Sequence, residues 1–160
     1  MKAFSDWLYA TPLSHLFQTV GWFVPVVQSI HIICISLLFT SMVLLDLRLV
    51  GLVGKRHSVA HYAERTLPWL WSSLIVLLVT GLCMIITEPN RTLQNAAFYS
   101  KMTMLLIACG LTYVFQRGRN AEPDAWELRG AKSAHGRAIG LISALLWAGI
   151  IVSGRLIAYV

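Results

Sequence analysis

A histidine set inside an apolar run is the residue of this chain with the clearest chemical potential. His31 lies within residues 20–45, VGWFVPVVQSIHIICISLLFTSMVLL, and about 20 apolar residues suffice to cross a bilayer. A charged group near the centre of such a span costs roughly 2.5 kcal/mol or more, so an ionisable side chain there points to a functional or partnered role. Neutral imidazole is a metal ligand. Gln28, His31 and Cys34 share a face through i, i+3 spacing, with Leu38 a further turn along, and this polar face is expected to look inward. Ser29, Ser36 and Thr40 mark a neighbouring face suited to helix packing. Helical bundles hold haem between their helices and offer His as an axial ligand, which is the functional reading of His31. The other reading is an interhelical hydrogen bond, worth about 0.6 kcal/mol.

A second ligand, if there is one, comes from elsewhere in the chain. Lys101, in FYSKMTM, stands near the start of a later apolar run and has the reach to act as second ligand or charge partner; the alternative is a cation snorkelling from a helix end. Five-coordinate iron with His31 alone also stays open. His57 and His61, four apart in HSVAH, and His135 form a separate candidate metal site. They cannot share an iron with His31, which a rise of about 1.5 Å per residue places roughly 20 Å from the inner end of its span. Arg155 follows Gly136, Gly140, Ala144 and Ala148 at helical spacings, so it is expected on an inward stripe, facing Glu88 or a ligand carboxylate such as a haem propionate. Snorkelling near the chain end is the competing reading. Cys34, Cys83 and Cys109 show no CxxC spacing and suit apolar packing. Without a covalent attachment motif, any haem would be of the b type. No P-loop, dinucleotide glycine fingerprint or HExxH occurs.

These residues need elements to hold them. Residues 67–87, 96–115 and 139–159 repeat the apolar pattern of 20–45, and 57% of the 160 residues are hydrophobic against 12% charged. The runs are continuously apolar, where barrel strands would alternate at period two. The expected fold is therefore an all-α membrane protein, one integral domain over 1–160, with a four-helix transmembrane bundle. Residues 1–17, MKAFSDWLYATPLSHLF, lack the basic start and apolar core of a signal peptide, because Asp6 and Pro12 interrupt them. They read as a short amphipathic helix at the interface, with Phe4, Trp7, Leu8, Leu13 and Phe17 dipping toward lipid.

Cations are distributed unevenly between the loops. Arg48, Lys55, Arg56 and Arg65 follow the first span, and Arg117, Arg119, Arg129, Lys132 and Arg137 follow the third, against Lys2, Arg91, Lys101 and Arg155 on the other side. The positive-inside rule then puts both termini outside a bacterial inner membrane. The net charge of +6 is read as a topology signal, with anionic lipid headgroups favoured at the basic face and no nucleic-acid partner.

The segments SIHIICISLLFTSMVLLDLRLVGL, TLPWLW, VTGLCMIITEPN, NAAFYSKMTMLLIACGL and LLWAGIIVSGRLIAY together resemble a family of small bacterial four-helix membrane proteins of unknown function. In that family a first-span His, an Asp-Leu-Arg-Leu exit, a Lys opening the third span and a late Gly-Arg recur; here these are His31, Asp46, Arg48, Lys101, Gly154 and Arg155. A more distant likeness is to membrane-bound protoporphyrinogen oxidases and to the copper-resistance D type domain. In the oxidases a first-span His and a later Lys accompany haem and porphyrin chemistry, and His31 and Lys101 match them. The tryptophan and arginine motifs after that His, and the His and Met clusters of the copper proteins, have no counterpart here, so neither activity is carried across.

The leading expectation is a haem-b-binding membrane protein that exchanges electrons with a quinone or with a membrane or outer-side redox partner. In it His31 is the axial ligand, Lys101 a second ligand or charge partner, Gln28 part of the binding face, and Arg155 near a propionate. The alternatives are an enzyme or transporter handling porphyrin or copper, and a cofactor-free scaffold subunit of a homo- or hetero-oligomer.

Overall fold

The computed structural model describes residues 2–53, 58–121 and 134–156, the side chains of 134 and 135 excepted. Among the described residues there are seven helices and no strand: α1 (Lys2–Tyr9), α2 (Pro12–Thr19), α3 (Phe23–Val50), α4 (Val59–Thr87), α5 (Pro89–Leu93), α6 (Ala96–Ala121) and α7 (Ala134–Leu156). Four of these, α3, α4, α6 and α7, are long and apolar enough to cross a membrane. Their lipid-facing character is visible in what they leave outside: Ile32, Ile33, Ile75, Val79, Leu106, Val114 and Leu145 are all exposed. A patch of that extent would not stay in water. The protein is a multi-pass, all-α membrane protein.

The long helices extend past the apolar runs. α3 continues through Asp46 and Arg48 and ends where Gly51, at φ 83°, adopts the left-handed turn that glycine tolerates. His31 consequently lies in the first third of its helix, not at the middle of a span. α4 starts at Val59, with the Ser58 hydroxyl accepting from His61 N, so Pro68 falls inside the helix instead of at its entry. A membrane helix tolerates this because neighbouring groups can satisfy the one carbonyl the proline leaves without a donor.

α3 packs against α4 on one side and α7 on the other, and α7 packs against α6. α6 meets α4 through side chains, without close backbone packing. The middle of the bundle is a dry layer drawn from all four helices, Leu38 and Met42, Leu70 and Leu74, Ala108, and Trp147 and Ile150. Toward the α3–α4 turn a second layer follows, with Leu45, Leu49, Val59, Ala63, Leu67 and Phe115. That end is the basic face; the opposite end, which carries α1, α2 and α5, is here termed the N face.

The N-terminal segment is two helices, not one. Thr11 is extended and its hydroxyl accepts from Ser14 N, while Pro12 takes the first helical position, a pairing that starts a new helix and ends the old one. The inward sides of α1 and α2 are small and polar, with Ser5 and Ser14 fully buried; Gln94 donates to Ser5 Oγ, and Gln18 to Ser14 Oγ and Thr87 O. Phe4, Trp7 and Leu13 are exposed, as an interfacial helix requires, whereas Phe17 stacks on Phe23 at 4.2 Å.

Candidate functional site

His31 is half-buried and joins two helices: its Nδ1 is 2.7 Å from Thr80 Oγ1 on α4. Thr80 is buried, and its hydroxyl donates its one proton to Val76 O at 2.8 Å, with Leu77 O at 3.3 Å. With its proton on Val76 O, the hydroxyl accepts from His31 in the tautomer that carries hydrogen on Nδ1, and in that tautomer Nε2 keeps its lone pair. Gly81 borders the ring, where a methyl group would lie 3.8 Å from Cε1.

Lys101 joins this region from α6, within electrostatic range of His31. Its side chain lies along α7 at Gly154, where a methyl group would be 3.4 Å from Nζ and 3.6 Å from Cε. The absence of a side chain at Gly154 gives the lysine stem its passage. His31 and Lys101, read separately from the sequence, thus fall in one region in the N-face half of the bundle. Beneath them Cys34 is buried, followed by the dry layer. In that layer Trp147 Nε1 is buried and has no hydrogen-bond partner.

Other placements differ from the sequence expectation. Gln28 is exposed, because each i, i+3 step falls back about 60° around the helix and Gln28 lands at the edge of the face centred on His31, Leu38 and Met42. Ser29, Ser36 and Thr40 are exposed too, and the first two hydroxyls donate to their own helix at Pro25 O and Ile32 O. Arg155 is exposed, as is Ala148. Steps of four advance about 40° each, so the stripe that begins at Gly136 and Gly140 winds off the packing face. The inward line is instead Gly136, Gly140, Ser143, Trp147, Ile150 and Gly154. Glu88, the partner expected for Arg155, pairs with Arg91 at 3.1 Å. His61 is exposed in the first turn of α4; His57 and the side chain of His135 lie outside the described residues. Among the described residues, no group of three His, Cys, Asp or Glu side chains could hold a metal ion.

The sequence reading missed Thr80, whose small hydroxyl in an apolar run carries no distinctive signal, and Asp46 as a packing residue. Asp46 is 4% exposed, hydrogen-bonds Ser143 on α7, and has a buried Oδ2 without a partner. Close approach makes this possible: a methyl group on Gly140 would lie 3.1 Å from Asp46 O and from Val50 Cγ2.

A family of unknown function, DUF6644, matches residues 4–160. The chain belongs to this family. No curated protein and no solved structure matches it. Membership in an unknown-function family agrees with the resemblance drawn from the segments above, and the family brings the chain no reaction.

Whether the residues present suit a haem is decided by donors. Axial ligation needs one imidazole with a free nitrogen and a fixed ring, and His31, held through Nδ1 by Thr80, has that form. Lys101 would supply a second nitrogen or a positive charge. Trp147 supplies an N–H that lacks an acceptor in the protein alone. The donor set fits.

Proposed function

We propose that this protein is a haem-b-binding membrane protein of electron transfer, with His31 Nε2 as the axial ligand. The observation that carries the reading is the 2.7 Å contact between His31 Nδ1 and the Thr80 hydroxyl, which can donate to Val76 O and accept from Nδ1. Metal-bound histidines are commonly oriented in this way, through a hydrogen bond at the other ring nitrogen. A bound haem supplies one-electron exchange. Thr80 keeps the ring in one tautomer, Lys101 provides a second ligand or a charge beside the group, and the dry layer of Leu38, Leu74 and Ile150 keeps water from reaching it from below. Arg155, exposed near the N face, is retained as a partner for a propionate at the rim. The distant likeness to the membrane-bound protoporphyrinogen oxidases at His31 and Lys101 supports a porphyrin as the ligand.

In this reading the protein lies in a bacterial inner membrane with both termini outside, exchanging electrons with a quinone from the bilayer or a redox partner at the N face. A second reading rests on the same bond: His31 and Thr80 tie α3 to α4 in a cofactor-free scaffold subunit. A reduced-minus-oxidised spectrum of protein produced with ample haem separates the two. The expected result is a b-type haem band that disappears in His31→Ala and survives in His57→Ala and His61→Ala. A wild-type protein without haem, or a His31→Ala variant that keeps it fully, leaves the scaffold reading.

A further inference from the structure

α4 and α6 do not close on each other near the basic face, and between them lies a cavity of about 240 Å³. Its walls are unusually polar for a gap between membrane helices. Arg119, only 12% exposed, faces it, and its Nε is buried without a hydrogen-bond partner. The rest of the guanidinium is weakly held: Nη1 is 3.4 Å from Ala60 O and 3.9 Å from Glu64 Oε1, and Nη2 donates to Asn120 at 2.9 Å. Glu64 also lines the cavity, but it is 72% exposed, so its carboxylate is largely hydrated.

Gln116 lines the cavity one turn before Arg119 on α6. Trp71 donates its indole N–H to Gln116 Oε1 at 3.2 Å. With its oxygen engaged, Gln116 presents its NH₂ as a donor. Two donor groups, one of them charged, therefore line the same cavity. The wall on α4 includes Pro68, whose exposed ring gives this side of the gap an apolar edge toward lipid.

We propose that this cavity binds a phosphate group, held by the Arg119 guanidinium and the Gln116 amide, and that the phosphate is the headgroup of an anionic lipid entering between α4 and α6. The guanidinium matches phosphate oxygens in geometry as well as charge. Arg119 lies within the last turn of α6, the level at which lipid phosphates meet a spanning helix, and basic pockets between membrane helices are established headgroup sites. Free phosphate has the same chemistry and reaches the cavity only from the aqueous side.

Thermal unfolding of the purified full-length protein in neutral detergent tests this, with phosphatidylglycerol, phosphatidylcholine or inorganic phosphate added separately. Phosphatidylglycerol should raise the midpoint saturably and more than phosphatidylcholine, whose phosphate already has a cation. Arg119→Gln should weaken half-saturation by about tenfold or more, the equivalent of one charge-assisted hydrogen bond. Gln116→Leu keeps the charge and should weaken it less, and it decides the matter if Arg119→Gln does not fold. A rise with inorganic phosphate that depends on Arg119 in the same way supports the phosphate site and assigns it a soluble ligand. No rise with either probe, or a rise undiminished in the folded variants, overturns the proposal.

Discussion

The hydrogen bond from His31 to Thr80 offers the sharpest test of how this bundle prepares a ligand. Thr80→Val keeps the β-branched shape and removes the hydroxyl that lies 2.7 Å from Nδ1. Without cofactor the loss should be small: hydrogen bonds between membrane helices average about 0.6 kcal/mol and reach about 1.7, because the freed group finds other partners. With haem bound the cost should be larger. Iron at Nε2 requires one tautomer and one ring orientation, and the freed N–H cannot turn away to seek a new acceptor without breaking the metal bond. Loss of such an outer partner typically costs 10- to 100-fold in affinity, or about 1.4 to 2.7 kcal/mol. The assay is haem retention during competition with a soluble apo-globin, together with the midpoint potential. Thr80→Val should release haem at least about tenfold more readily, and its potential should rise, since an imidazole that no longer donates at Nδ1 supports ferric iron less well. Thr80→Ser keeps the hydroxyl and should behave like wild type. If Thr80→Val holds haem as tightly as wild type at an unchanged potential, while His31→Ala loses it, the argument from Thr80 fails.

Lys101→Met should lower the midpoint potential or change the haem spectrum, because it removes a positive charge or a ligand within electrostatic range of His31; identical spectra and potentials would reduce Lys101 to a helix-end anchor. Gly140→Ala should destabilise the protein by about 1 to 3 kcal/mol, since its methyl group would meet Asp46 O at 3.1 Å and backbone cannot step aside. Gly149→Ala, which meets the flexible Met104 Sδ at 2.9 Å, should cost less; thermal unfolding in detergent compares the two, and the reverse order would contradict the packing described. In a background lacking Cys34, Cys83 and Cys109, cysteines at positions 61 and 119 should label from the cytoplasm and one at 91 from outside. Labelling of position 91 only from the cytoplasm would invert the orientation.

The four spans were legible because length and apolarity alone report a membrane crossing, and His31 and Lys101 stood out because ionisable groups are costly there. Their ends were not legible. The apolar run stops where the helix leaves hydrocarbon, but intrahelical hydrogen bonds continue, so α3 proceeds through Asp46 and Arg48, and α4 begins at Ser58 well before Pro68. Facial assignments drifted with each step: Gln28, a single i, i+3 step from His31, is already exposed. Gly136 and Gly140 do face inward, yet repeating the step of four carries Ala148 and Arg155 out of the interface. Thr80 was invisible for another reason: in an apolar helix a threonine ordinarily bonds to its own backbone, as Thr112 does to Ala108 O. Only the neighbouring helix shows that Thr80 also meets a histidine.

The positions of Lys101 and Arg119 constrain what a haem at His31 could do. They lie on one face of α6, roughly five turns or about 27 Å apart, close to the thickness of the hydrocarbon core. That spacing suits cations at the two edges of the hydrocarbon core, and His31, near the Lys101 level, belongs to the N-face half of the bundle. Between it and the basic face stand two apolar layers, Leu38 with Leu70 and Trp147, then Leu45 with Leu67 and Phe115. The buried hydroxyls of Ser41, Thr66 and Thr112 that cross this depth donate to carbonyls four residues back in their own helices. The ionisable group at that depth is Asp46, bonded to Ser143. A haem held by His31 would accordingly exchange electrons at the N face or laterally with a membrane-dissolved quinone.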